Sequence, residues 1–379
     1  MRINSIVTLM TVMWTGSIAV AYQTSNPLYL TVPYILCAAN ELLYATCGFD
    51  MFLSSERTEL FYDMATIPTR AFVGDNYSEG YWPDGDYTIS PQKAEDNKFA
   101  KIIELIGAKE GDTILDFGCG TGSFVVYCES KGIKAIGMTL SSEQVKYGLG
   151  RCRDPSMSDI IQWNYTKFNE KYRNMADHII ILGSPEHIWT GGSMMGETYI
   201  NKKQVMTKLL DMCKDYFKRD DKPHRIFVSC LHITDEYIRT PEYYIFERTY
   251  GGTLQLNDPK YDLKASAEAT GYIPIYRRDA TEDYYMASVL DPNHFGNPGA
   301  PFSKCSNMLF ILGFIYPICW FILAYNLCGI WMWMFDGRQH YDWNKRFAIG
   351  DTPASRPCTL WWDVIEYQPP NKPSQLSSS

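Results

Sequence analysis

Apolar positions recur along this chain with two different periods, and their alternation predicts a layered α/β fold. Pro91–Ile106 carries Phe99, Ile102, Ile103 and Ile106 on one face, the spacing of an amphipathic helix. Short β-type runs stand at Thr113–Phe117, 134–138, 159–162, His178–Leu182 and 225–231. Residues 204–217 form a helical stripe through Val205, Met206, Leu209, Leu210, Cys213, Tyr216 and Phe217. A further helical pattern, 262–270, precedes a strand at 273–276. Such alternation implies a doubly wound, mostly parallel sheet with helices on both faces, Rossmann-like in type. A ligand crevice belongs at the carboxyl ends of its strands.

The first strand runs straight into Asp116-Phe117-Gly118-Cys119-Gly120-Thr121-Gly122. Glycines at that spacing let backbone approach a ligand and pack the next helix closely. Nicotinamide dinucleotide sites use nearly the same spacing, and a plain structural turn would need only the glycines. Two features point elsewhere. Asp116 sits inside the strand end, and no third glycine stands at dinucleotide spacing. A second short run then leads into Thr139-Leu140-Ser-x-x-Gln144. Together these resemble the S-adenosylmethionine pocket of class I methyltransferases.

Composition narrows the partners. A net charge of -8 argues against a nucleic-acid surface, which needs a basic patch, and against a purely electrostatic anchor to anionic lipid. Eleven cysteines are scattered without metal-ligand spacing, as expected for buried free thiols in a reducing compartment; no metal site is expected.

The N-terminal 49 residues form an apolar segment. No charged residue falls between Arg2 and Glu41, and the turn signal at 23–27 separates apolar runs at 6–21 and 28–39. Ala19-Val-Ala21 resembles a signal-peptidase site, which would suit a secreted or singly anchored protein. Each run is short for a bilayer span of ~20 residues, so a membrane hairpin through 3–40 and a soluble amphipathic cap stay open beside it. Asn76-Tyr-Ser78 and Asn164-Tyr-Thr166 are glycosylation acceptor patterns beside the expected cofactor. Sugar there would block the site, which favours a catalytic domain facing the cytoplasm.

A narrower resemblance rests on the order of several motifs. Tyr77-Ser78-x-Gly80-Tyr81-Trp82, the helix at Pro91–Ile106, the Asp116–Gly122 loop and Thr139-Leu140-x-x-x-Gln144 are followed by Asn164-Tyr165, Glu186-His187-Ile188, Leu231-His232 and Tyr285. Between about Tyr62 and Phe335 this order resembles the cyclopropane-fatty-acyl-phospholipid synthase family of S-adenosylmethionine-dependent methyltransferases. Asp96-Asn-Lys-Phe-Ala through Gly118 looks especially like its fungal sphingolipid methyltransferases. The resemblance implies methyl or methylene transfer to an unsaturated acyl or sphingoid chain at a membrane surface. Plant relatives of the family act as N-methyltransferases on amines, and a non-catalytic assembly protein on the same fold is a third reading. The resemblance places Tyr77, Ser78, Asp116, Phe117, Gly118, Cys119, Gly120, Thr121, Gly122, Thr139, Leu140, Gln144, Asn164 and Tyr165 around the cofactor.

For catalysis the resemblance implies a base. The family holds a bicarbonate with a Cys, a Glu, a His and a Tyr, and Glu186, His232 and Tyr285 match the last three. At the Cys position stands Glu79, whose carboxylate would repel bicarbonate. Glu79 is therefore expected to face Glu186 across the pocket and to serve as the base itself, or else the site has lost its base. Residues 50–347 are read as the methyltransferase domain. Within it, 308–335 is an uncharged run that reads as the family's closing helix and strand or as a membrane helix. Residues 348–379 read as a Pro/Ser-rich tail, with Leu360-Trp-Trp as a docking patch.

Overall fold

The computed structural model describes residues 5–47, 55–72, 78–188, 202–233, 263–290 and 358–369. Two N-terminal helices, α1 (Ser5–Thr24) and α2 (Val32–Cys47), flank a short turn at Pro27–Thr31. The turn follows from its sequence: Asn26 accepts the Leu28 amide and Pro27 presets the backbone. No helix among the described residues is long and apolar enough to cross a membrane. Insertion of 3–40 as a span is therefore unsupported, and 308–335 lies outside the described residues.

After α3 (Ser55–Phe72) and α4 (Pro91–Ile106) the expected alternation sets in. It comprises β1 (Thr113–Phe117), α5 (Ser123–Glu129), β2 (Lys134–Thr139), α6 (Ser142–Leu149), β3 (Ser158–Gln162) and β4 (His178–Leu182). There follow α7 (Lys202–Cys213), β5 (His224–Ile233), α8 (Leu263–Ala269), β6 (Tyr272–Asp279), α9 (Thr281–Leu290) and β7 (Cys358–Tyr367). The seven strands form one sheet in the order β3-β2-β1-β4-β5-β7-β6. The first five are parallel, while β7 lies antiparallel between β5 and β6. One face packs α4 and α5 through Phe99, Ile102, Phe124 and Val125. The other packs α7 through Val205, Leu209 and Leu210. A sheet buried on both faces explains why β4 reads as a near-continuous apolar run rather than an alternating one.

The sequence reading needs two corrections. Residues 358–367 are not tail: they are an interior strand pairing residue for residue with β5 from His224↔Tyr367 to Ile233↔Cys358. Trp362 is fully buried, so Leu360-Trp-Trp is not a docking patch. Physically, the alternation Cys358, Leu360, Trp362, Val364 is that of a strand with one face on the core.

Candidate functional site

At the carboxyl end of β1 the chain turns through Gly118, whose φ of +84° favours glycine. A Cβ there would lie 2.4 Å from Ser184 Cβ, because the loop after β4 packs directly over it. Ser184 fixes that approach by donating to Phe117 O at 2.8 Å, and Tyr165 donates to Ser184 O at 3.0 Å while stacking on Phe117. The Gly118 and Cys119 amides both donate to Met138 O, tying the loop to β2. Burial pushes the Cys119 thiol well above its usual range, which keeps it protonated.

Asp116 is buried under this loop, and its Oδ1 has no hydrogen-bond partner. Burial raises its carboxyl to about 7, with nearby Lys98 pulling the other way. Beyond β2, Thr139 Oγ1 donates to Gln144 Oε1 at 2.6 Å and also accepts the Ser141 amide, which orients the Gln144 side chain. Thr121 is buried in the turn into α5. Asn164 spends its side-chain oxygen on Thr166 within its own turn. Tyr77 lies outside the described residues; Ser78 accepts a bond from Lys98 Nζ.

Sequence reasoning missed a polar strap across these loops. Asp63 of α3 accepts Ser141 Oγ at 2.6 Å and the Glu143 amide at 3.1 Å, capping α6 from outside. Tyr62 meets His187 Nε2 at 2.5 Å, and Glu59 accepts from Gln162. Helix α3 thus bridges the carboxyl ends of β2, β3 and β4. An apolar-periodicity search passes over it because its anchoring groups are polar.

The catalytic candidates converge in part. Glu79 is 2% exposed, and its Oε1 accepts both Ser229 Oγ and Trp362 Nε1 at 2.8 Å. Glu186 is also buried, and its Oε1 accepts the Leu231 amide at 2.5 Å. The two carboxylates therefore reach β5 at positions two residues, ~7 Å, apart. Tyr285 packs in the buried cluster that holds Leu231 and Leu360. Strand alternation puts His232, also buried, on the face of β5 opposite Ser229.

Lys98 was also missed. It continues the buried spacing Ala94, Lys98, Ile102, Ile106 on α4 and is wholly buried. Burial lowers its pKa, and the negative charges of Glu79, Glu95 and Asp116 pull it back up. A lysine in the core register of an amphipathic helix was the available signal.

Residues 56–215 match the family model described as mycolic acid cyclopropane synthetase. A stretch of 128 residues is 32% identical to a probable fatty acid methyltransferase of Mycobacterium tuberculosis, covering 34% of this chain and 28% of that protein. Another of 80 residues is 39% identical to a sphingolipid C9-methyltransferase of Komagataella phaffii, covering 20% of this chain and 16% of the relative. The chain thus aligns with less than a third of either relative's length. Among solved structures, a mycolic acid cyclopropane synthase complexed with SAH and CTAB superposes with TM-score 0.59 at 14% identity, covering 83% of this chain and 98% of that one. That likeness shows the fold, a class I methyltransferase sheet with helices on both faces.

Proposed function

We propose that this chain, whose residues 56–215 match the mycolic acid cyclopropane synthetase family model, transfers a methyl or methylene group from S-adenosylmethionine to an unsaturated lipid chain. The observation that carries the reading is the buried Glu79 carboxylate, held by Ser229 and Trp362 at the position that the sequence resemblance pairs with the family's cysteine.

The residues present fit S-adenosylmethionine. Asp116 Oδ1, buried and without a partner, matches an ammonium. The absence of a side chain at Gly118 admits close backbone approach, and Gln144, oriented by Thr139, would meet the ribose hydroxyls. Bound there, S-adenosylmethionine would supply an electrophilic methyl to the alkene and leave as S-adenosylhomocysteine. What remains is removal of one proton from the alkylated, positively charged chain. Glu79 is the base for that step, and the proton's departure leaves either a three-membered ring or a retained double bond. Two bonds fall on Oε1, so Oε2 is the accepting oxygen. No bicarbonate is required, because the carboxylate is supplied by the protein. Glu186 fixes the neighbouring backbone of β5 through the Leu231 amide.

The lipid would be reached at a membrane surface. Val12, Ile18, Leu28, Ile35 and Leu42 on and between the two N-terminal helices are 54–69% exposed, as suits a helical pair resting on lipid. Lipids and small molecules extracted from cells expressing the chain and fed methyl-deuterated methionine test the whole reading. Label in acyl or sphingoid chains supports it. Label in headgroups or soluble amines would make the chain an N-methyltransferase, and no label above background would make it non-catalytic. Glu79→Gln should abolish incorporation while leaving S-adenosylhomocysteine affinity unchanged.

A further inference from the structure

The segment after Ser78 is pinned by distant parts of the chain through Glu79, Tyr81 and Trp82. Glu79 Oε1 takes Ser229 Oγ from β5 and Trp362 Nε1 from β7. Tyr81 packs against the Trp362 ring at 5.7 Å between centroids. The Arg278 guanidinium lies over both rings, 4.9 Å from Tyr81 and 5.0 Å from Trp362. Asp283 of α9 pairs with Arg278 and accepts the Trp82 amide. A carboxylate buried to this degree keeps one orientation only where donors are aimed at it.

We propose that Trp362 and Ser229 are positioning residues: they hold Glu79 through Oε1 and thereby aim Oε2 at the alkylated acceptor. This rests on the reading of Glu79 as the base. Two donors on one oxygen remove the rotational freedom of the carboxyl group, so the second oxygen is presented without reorganisation when the proton leaves. Phe227 packs edge-on against the Trp362 ring, and Arg278 covers it, so the indole itself cannot swing away. Lys98 supplies the balancing positive charge within the same buried region. The carbon chain of the acceptor plays no part in this device, which would serve any alkene that loses a proton at that point.

The test combines a spectroscopic and a kinetic arm on the full chain. The ten tryptophans are labelled with 15N at the indole, and the Trp362 signal is assigned by its loss in Trp362→Phe. Glu79→Ala should move that signal more than any other indole signal. Turnover is then followed with methyl-labelled S-adenosylmethionine and vesicles of a monounsaturated phosphatidylcholine. Trp362→Phe and Ser229→Ala should each lower kcat about tenfold or more, the scale of a lost bond to a charged group. KM for the vesicles and S-adenosylhomocysteine affinity should stay within about twofold, a split that general loosening of the fold would not produce. An indole signal indifferent to Glu79→Ala overturns the positioning proposal whatever the activity. So does full kcat in Ser229→Ala and Trp362→Phe when Glu79→Gln is inactive. Full turnover in Glu79→Gln instead removes Glu79 as the base, and the positioning role with it. Should Trp362→Phe fail to fold, Ser229→Ala carries the kinetic arm alone.

Discussion

The two halves of the site are built in opposite ways. On the cofactor side part of the ordering is local: Thr139 meets Gln144 five residues on and Asn164 meets Thr166, while Ser184 reaches Phe117 across 67 positions. On the acceptor side Glu79 is held by residues 150 and 283 positions away. A local loop can be read as a word in the sequence, because its geometry depends on neighbours in the chain. A carboxylate positioned by two remote strands has no such word. Its role emerges only once the sheet order places β5 and β7 side by side.

The largest effect that separates the halves is expected from Gly118→Val. A branched side chain at φ +84°, with its Cβ about to strike Ser184, should cut S-adenosylhomocysteine affinity by about 100-fold or more. Calorimetric titration checks it, and the Trp362 indole signal should be unchanged. Lys98→Met attacks both halves together. Removing a buried cation that faces Glu79, Glu95 and Asp116 should cost about 3 kcal/mol of folding stability, read from the urea midpoint. The loss should be smaller below pH 7, where Asp116 takes up a proton.

Next in size comes the pH dependence of cofactor binding. The folded Asp116 carboxyl titrates at about 7, above its value of 3.8 when exposed. In the empty protein its contribution to stability is therefore full below pH 4 and is lost as pH rises through 7. A bound ammonium favours the ionised form, so affinity for S-adenosylhomocysteine should fall about tenfold per pH unit below 7. Titrations between pH 5.5 and 7.5 should show this slope, with proton release into the buffer, and Asp116→Asn should flatten it. The smallest effect belongs to the strap. Asp63→Ala removes the outside cap of α6 and should cost about 1 kcal/mol in a thermal melt, sparing both cofactor loop and Glu79.

How much was legible follows the same division. Helix α4 was readable to its ends because Ser90 caps it through the Lys93 amide and Gly107 stops it at φ +70°. Strand β4 was readable because burial on both faces leaves Ile179 to Leu182 uniformly apolar, and β1 because Ile114 and Leu115 lead into the glycine loop. The glycine loop and the Thr139–Gln144 turn carried their own geometry. Strand β7 was taken for tail because Pro- and Ser-rich sequence flanks it, and because its partner β5 lies more than a hundred residues earlier. Trp362 was therefore placed on the surface and its bond to Glu79 could not be foreseen. His232 was named from motif order, which fixes sequence position but not which face of a strand a side chain occupies.

The place of β7 also sets an order of events during synthesis. When Glu79, Lys98 and all of β1 to β5 have left the ribosome, the side of β5 that will receive β7 is still an open row of amides and carbonyls. A nascent chain at that stage has a complete cofactor loop but an uncapped sheet edge and a carboxylate lacking one of its two donors. Pairing of 358–367 closes the edge and delivers Trp362 in the same event, so the step that ends the exposure of a sticky strand also finishes the acceptor site.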